Sequence, residues 1–571
     1  MLKRQAEARA DSVFIAERTG GDWRSLTYAD AYETARVIAG NLLQRGLGPD
    51  RPVMFLSPNS IDLACIILGC YLSGVPAAPV SPAYALPGSN YERLRYVFRT
   101  LDPGMICISS TEQFGSALDS IGAMDVEVVA MDGETTAEVT PFSTLLAALP
   151  EGQLFDVMID ETTVAKYLFT SGSTGRPKGV INTHGMLCAN QQMIAQRWPF
   201  LEREAPVVVD WLPWNHTFGG NKVFHLILRN GGTLYIDQGK PLPGLIETSI
   251  RNLEEISPTL YFNVPVGFAQ LIPYLERDDG LCRHFFQRLR LIFFAAAAMP
   301  QKTWDRMNEL AIKGCGHEIP MSSGYGTTET APVATFADPP MQTTRVVGLP
   351  CPGVEIKMTK VGDKTELRVR GPNVAPGYLN DPAQTRSAFD DEGYYITGDA
   401  GAFLDPGHPE HGLVFDGRVA EDFKLTTGIW VSVGMLRLKA LDAVSPLLQD
   451  VVITGEGRDD IGLLAWPNIG ACKGALDLTD DAEIHDRIFS SEALRQLLRD
   501  RLADYNSVHT GSSMRVQRVL LMHTLPDPDA GEITDKGYIN QRAVLDNRRE
   551  LVELLYGTDH VDGIIVMSEP T

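Results

Sequence analysis

The chain has 571 residues, 44% hydrophobic and 21% charged, which is globular composition and too much for one core, so two or more domains are expected. A formal net charge of -22 argues against broad nucleic-acid or anionic-membrane binding, yet leaves room for a locally cationic loop that binds a small phosphate. Eight scattered cysteines without a CxxC pair signal neither a zinc site nor a disulfide framework, and they suit a reducing, cytoplasmic setting.

The first residues, MLKRQAEARADS, lack the apolar stretch of a signal peptide. In SLTYADAYETARVIAGNLLQRG, Thr27 and Asp30 are spaced as a capping box. Ala31, Ala35, Ile38 and Leu42 follow at helical spacing, and Gly46 ends the run. PVMFLS then predicts a short strand. The longest apolar stretch, Leu63 to Val80, is interrupted by Gly69, Ser73, Gly74 and Pro76, so it predicts a buried helix and a strand rather than a membrane span. Between Val207 and Pro300 the segments VVVDWLP, GTLYID, LYFNVP and RLIFFAAAA alternate with helical stretches. That pattern predicts α/β layers with partly parallel sheets. Glycine and proline then become dense from Pro350 to Asp399, as in a β-rich subdomain whose clearest strand is ELRVRG. Beyond the segment around Arg418 to Ala420 a smaller α+β part is expected, with Leu494, Leu497, Leu498 and Leu502 on one helix face. The predicted division is a large domain of residues 1–419 and a small mobile one of 420–571.

Four stretches carry chemistry. YLFTSGSTGRPKGV, Tyr167 to Val180, is rich in glycine, hydroxyls and cations, yet it fails the Walker A pattern. Glycine follows Lys178 where serine or threonine would be needed, and Pro177 removes an amide. Its hydroxyls and glycine-exposed N–H groups still suit phosphate oxygens. SSGYGTTET places Tyr325 between two glycines, where a flat ligand could approach, and adds Glu329 as a hard oxygen suited to Mg²⁺. GYYITGDAGAF ends a β-rich run in Asp399, a carboxylate able to accept two ribose hydroxyls. FDGRVAEDFKLTTG sets Arg418 and Lys424 around a candidate hinge. Each stretch alone also reads as an ordinary turn.

In this order the four motifs resemble the adenylate-forming superfamily of acyl- and aryl-CoA synthetases, peptide-synthetase adenylation domains and firefly luciferase. The resemblance covers nearly the whole chain. It implies ATP, Mg²⁺ and coenzyme A as reactants, and an acyl-adenylate formed from a carboxylate before thioester formation. By motif position, Thr170, Ser171, Gly172, Ser173, Thr174 and Lys178 would hold the ATP phosphates. Tyr325 and Gly326 would meet adenine, Thr328 phosphate, and Asp399 with Arg418 the ribose, while Glu329 and Thr170 would serve the metal.

WLPWNHTFGGN contains His216, which in CoA-forming relatives lines the acyl site, beside Trp214, Phe218 and Gly219. RLIFFAAAAMP supplies either a slot at Ala295 to Ala298 for a slender acid, with Ala296, Ala297 and Gly324 touching it, or a buried alanine-rich strand with no ligand. Together with ERTGGDWRSLTYADA, PVSPAYAL and GGTLYIDQGKPLPG, the pattern is most similar to the feruloyl-CoA synthase group, which implies a planar hydroxycinnamate as the acid. There are two departures. Ala420 stands where a charged hinge residue is usual, leaving Glu421 or Asp422 to take the polar role. The catalytic lysine must be sought in DAGEITDKGYINQR, where Lys536 is the candidate. Another aromatic or fatty acid, a non-CoA acceptor and a catalytically silent nucleotide-binding protein remain as alternatives. Oligomeric state stays open, a homodimer included.

Overall fold

The computed structural model describes residues 1–567 apart from 124, 134–138, 150–156, 172–175, 243, 342, 479–483, 528–529, 534–538 and 558–562. The first long helix, Tyr28–Gln44, begins where the sequence pattern placed it. The Thr27 hydroxyl accepts from the Asp30 N–H at 3.1 Å. The Asp30 carboxylate does not complete the box. It takes the Thr27 hydroxyl proton at 2.7 Å, because aspartate is one methylene too short to reach the capping residue's own amide with ease. The apolar helix Ile61–Ser73 is capped by Ser60, which accepts from Leu63 N–H at 3.0 Å, and is closed by Gly74 at φ +68°. Gly69 lets it lie close to the first helix, since a Cβ there would come within 2.5 Å of Ile38 Cγ2. At about 1.5 Å per residue its length is near 20 Å, well short of a bilayer core of about 30 Å. Among the described residues no helix is long and apolar enough to cross a membrane.

Strand–helix alternation closes into layered sheets. In a seven-stranded sheet, Glu127–Asp132, Met105–Ser110, Val53–Leu56, Ala77–Pro79 and Val164–Ser171 run parallel. The sheet ends in the antiparallel edge strand Pro177–Thr183. A nine-stranded sheet starts with three parallel strands, Leu260–Asn263, Leu291–Phe294 and Met321–Tyr325, then turns antiparallel through the glycine- and proline-rich region. A four-stranded sheet joins the N-terminal hairpin, Val13–Thr19 with Asp22–Thr27, to Val207–Asp210 and Thr233–Ile236. The smaller C-terminal part has its own four-stranded sheet, against which Glu492–Val508 buries Leu494, Leu498 and Leu502. Leu497 is half-buried beside that stripe.

Two large apolar clusters follow this division. One runs from Leu2 to Leu413 and the other from Phe423 to Met567. All eight cysteines are free, as a chain without a disulfide framework should have them.

Candidate functional site

A cavity of about 2210 Å³ opens between the large and small parts. An ordinary small-molecule site occupies roughly 300–1,000 Å³, so this one has room for more than one reactant. Its entrance from the seven-stranded sheet is the hairpin of Val164–Ser171 and Pro177–Thr183. Thr170 faces Lys178 across the ladder and Ser171 faces Pro177. Thr170 and Lys178 both line the cavity, on strands rather than in the loop itself. Pro177 is tolerated because its strand lies at the sheet edge, where a missing N–H breaks no central ladder. Gly172, Ser173 and Thr174 lie outside the described residues, as does the Ser171 side chain.

One wall is polar and tightly cross-connected. Tyr325, at the end of Met321–Tyr325, donates its hydroxyl to Asp399 Oδ2 at 2.9 Å. Asp399 is buried and stands opposite Arg418 on the neighbouring strand, with Arg418 Nε 3.4 Å from Oδ1. Burial raises the Asp399 carboxyl above its ordinary range, and the Arg418 charge and Tyr325 hydroxyl pull it back in part. The Tyr325 ring stacks near Phe415, with centroids 6.1 Å apart and planes 29° apart. Gly324 and Gly326 are required sterically: a Cβ on Gly324 would sit 2.6 Å from Thr335 O, and one on Gly326 would collide with Pro332 O.

Below this lies the short 3₁₀ turn Thr328–Thr330. Glu329 Oε1 accepts the Tyr378 hydroxyl at 2.9 Å, and Lys178 Nζ lies 5.4 Å from the Tyr378 ring centroid. Tyr378 therefore ties the hairpin to the acidic turn. Two buried amides lock that turn from behind. Asn373 Nδ2 donates to Thr330 O and Val333 O, each at 2.8 Å, and Asn190 Nδ2 donates to Val333 O at 2.9 Å. Sequence reasoning missed Tyr378, Asn190 and Asn373, because their roles depend on contacts between segments more than a hundred residues apart or on a loop with no periodic pattern. Gly371 and Pro372 before Asn373, and Pro376 and Gly377 before Tyr378, were the one available signal.

The other wall is apolar. His216 and Phe218 line it, followed by the π-helical turn Phe218–Val223, a local widening often found beside functional sites. The turn is held from inside. Asn221 Nδ2 donates to Asn182 Oδ1 at 2.8 Å, and Lys166 Nζ, on the hairpin's first strand, donates to Gly220 O at 3.1 Å. Two sequence expectations need correction. Trp214 does not face the cavity: its buried ring packs on Phe224 at 5.0 Å and its backbone N–H donates to Asn59 Oδ1. Gly219 also lies behind the wall, where a Cβ would strike Leu212 O. The alanines are not a buried strand. The strand stops at Phe294, and Ala295 to Ala298 bend along the cavity, with Ala296 at φ +75°. A left-handed non-glycine residue costs about 1 kcal/mol or more, and such strain collects at functional sites.

Comparison with known proteins places this geometry. The AMP-binding family, described as "AMP-binding enzyme", matches residues 2–379. The chain belongs to the AMP-binding enzyme family. Among curated relatives of this AMP-binding enzyme, it is 27% identical over 427 residues to a 3-[(3aS,4S,7aS)-7a-methyl-1,5-dioxo-octahydro-1H-inden-4-yl]propanoyl:CoA ligase of Rhodococcus jostii (strain RHA1), covering 71% of this chain and 77% of the relative. It is 24% identical over 532 residues to a 4-coumarate–CoA ligase of Pinus taeda, covering 90% of each. Its fold matches an anthranilate CoA ligase in complex with anthranoyl-AMP at a TM-score of 0.75 and 19% identity, over 97% of both chains. The expectation of an α/β large domain with a smaller α+β domain after it thus agrees with solved structures.

In this AMP-binding enzyme the segment linking the two parts is pinned by charge. Lys364 Nζ lies 2.7 Å from Asp422 Oδ2, and Asp422 Oδ1 also accepts the Val433 N–H at 3.0 Å. Asp422, not Ala420, thus joins the β-rich subdomain to the small domain's first helix, Val433–Val444. Glu421 is buried enough to raise its carboxyl, against the pull of Arg418 and Arg437. Lys536 lies outside the described residues. The residues around it are placed: Ile533 bridges to Ile539, and Gly531, at φ +75°, sits where a Cβ would meet the Arg93 guanidinium. Arg93 belongs to the helix Glu92–Leu101, whose Tyr96 ring also receives the Arg176 guanidinium at 5.6 Å. The hairpin and the segment preceding Lys536 therefore border the same helix.

Proposed function

We propose that this protein is an acid:CoA ligase that activates a planar hydroxycinnamate such as ferulate, with residues 1–419 and 420–571 as its two moving domains. An acyl- or aryl-CoA ligase working through an adenylate is what the family and its CoA-ligase relatives support, with ATP, Mg²⁺ and CoA as the reactants. The observation that carries the proposal is the joining of a phosphate hairpin, a Tyr325–Asp399–Arg418 cluster and an apolar wall in one cavity. The acid's carboxylate attacks the α-phosphorus of ATP, pyrophosphate leaves, and the CoA sulfur then displaces AMP from the acyl carbon. The acid is already ionised at neutral pH, so no general base is needed. Catalysis reduces to neutralising charge and aligning the two reactants.

Within that scheme Lys178 and the Thr170–Thr174 loop hold the leaving phosphates, Tyr325 and Gly326 receive adenine, and Asp399 with Arg418 receives the ribose hydroxyls. Thr328 contacts phosphate. Glu329 and Thr170 offer hard oxygens for Mg²⁺, and Tyr378 steadies one Glu329 oxygen for that task. Bound Mg²⁺ supplies charge neutralisation on the triphosphate. Lys536 neutralises the carboxylate and α-phosphate during adenylation, and the domain containing it then turns away to admit CoA. His216, Phe218, Ala296, Ala297 and Gly324 border the acid. The aryl reading is supported by the 4-coumarate–CoA ligase relatives and by the small side chains of the alanine bend, which line the same cavity as Phe218. Pyrophosphate release measured across cinnamic, benzoic and fatty acids tests it. Highest kcat/KM on hydroxycinnamates supports the proposal, and highest kcat/KM on a fatty acid overturns it.

A further inference from the structure

One charged-type side chain on the apolar wall has no part in adenylation or thioester formation as described above. Lys222 is fully buried and lines the cavity four residues after Phe218, on the same face of the π-helical turn. Its ammonium nitrogen lies in an aromatic box. Nζ is 2.7 Å from the centroid of Phe293, 4.8 Å from Phe336, 5.0 Å from Trp198, and 5.8 and 5.9 Å from Phe262 and Phe218. Among the described residues it has no hydrogen-bond partner. The contrast is Lys166, equally buried a short distance away, whose Nζ donates to Gly220 O.

A buried amine with no acceptor is costly, and a methionine or leucine would fill the same box at lower cost. The aromatic faces offset part of that cost if the nitrogen is charged. Burial pushes the amine strongly toward its neutral form. In either form it keeps N–H groups to donate, and an oxygen acceptor would satisfy it. Phe218 and Phe293 border both the box and the cavity, so the missing oxygen can arrive on the bound acid.

We propose that Lys222 is a specificity-determining residue that donates a hydrogen bond to an uncharged oxygen, hydroxyl or keto, at the end of the acid remote from its carboxylate. This rests on the apolar wall being the acid site, and it sharpens the substrate class from planar acids to acids with a distal oxygen. A pocket built to hydrogen-bond such an oxygen rejects the analogue lacking it far more strongly than a purely apolar pocket can.

The test compares kcat/KM for pyrophosphate release on matched acids, 4-coumarate against cinnamate and 6-oxoheptanoate against heptanoate. Wild type is expected to prefer the oxygenated member of the pair it turns over by on the order of 10⁴-fold. Lys222→Met should reduce that preference to within about 5-fold, mostly by losing the oxygenated acid, with KM for ATP unchanged. Lys222→Gln, which retains an N–H donor, should keep part of the preference, and it carries the test if the methionine variant does not fold. A wild type without preference in the pair it uses, or a preference that survives in Lys222→Met, overturns the proposal. If only the aliphatic pair is turned over, the hydroxycinnamate reading fails, and Lys222 is judged on that pair.

Discussion

The two walls of the cavity settle their polar groups in opposite ways. On the wall assigned to the nucleotide, Tyr325, Asp399 and Arg418 satisfy one another, and Tyr378 satisfies Glu329, before any ligand arrives. On the wall assigned to the acid, Lys222 is buried with no partner among the described residues. The first wall is organised in advance for a reactant that does not vary, which is how electrostatic catalysis avoids reorganisation during the reaction. The second leaves its hydrogen bond to be completed by the substrate, which is how a pocket selects.

The largest effects are expected where the first wall serves as the reaction centre. Lys536→Ala should lower adenylation by about 10²–10³-fold while leaving thioester formation from pre-made acyl-adenylate intact. Half-reaction kinetics check this, and equal loss of both halves would remove Lys536 from its role. Asp399→Asn keeps an acceptor for Tyr325 but loses the charge, and should reduce kcat/KM for ATP by about 10–100-fold, as for a hydrogen bond to a charged group. The pH profile adds a sign. Burial raises the Asp399 carboxyl, so ATP use should fall as pH drops through a value above the ordinary carboxylate range, and this limb should be absent in the asparagine variant.

A smaller effect separates the walls from each other. Tyr378→Phe removes the donor to Glu329 and should raise KM for MgATP by about 5–10-fold with no change in acid preference. Gly219→Ala should do the reverse. Its Cβ strikes Leu212 O, so the acid-side turn must shift, at about 1–3 kcal/mol of stability and with a changed acid profile at near-constant KM for ATP.

A separate effect, on stability rather than activity, concerns Lys166, which ties the hairpin to the π-helical turn. Burial lowers Lys166 to about 7, so between pH 7 and the ordinary lysine range the unfolded chain binds the extra proton. Stability should therefore rise with pH across that window, and Lys166→Met should flatten the rise in urea unfolding.

The polar wall was legible in the sequence because its chemistry sits in short, dense motifs. Thr170, Lys178, Tyr325, Glu329, Asp399 and Arg418 each lie in such a motif, and all six line the cavity. The helix at Tyr28 was legible from capping and periodicity, and the helix at Ile61 from an apolar run broken by Ser73, Gly74 and Pro76. The apolar wall was less so. WLPWNHTFGG drew attention to Trp214 and Gly219 through their company with His216, but which residues of an irregular segment face inward depends on a π-helical turn that no periodicity announces. Lys222, the residue that follows WLPWNHTFGGN, carries no signal of its burial in the sequence. Its burial arises from Trp198, Phe293 and Phe336, which come from three separate elements. The choice between Glu421 and Asp422 beside Ala420 was open for the same reason, since Lys364, which pairs with Asp422, lies far away in sequence.

One measurement bears directly on the central claim: product analysis by mass spectrometry after mixing the protein with ATP, Mg²⁺, 4-coumarate and CoA. A CoA ligase working through an adenylate gives AMP, pyrophosphate and coumaroyl thioester in equal amounts, with acyl-adenylate accumulating when CoA is withheld. Release of ADP and phosphate, or no acid-dependent pyrophosphate from any acid tested, would contradict that claim.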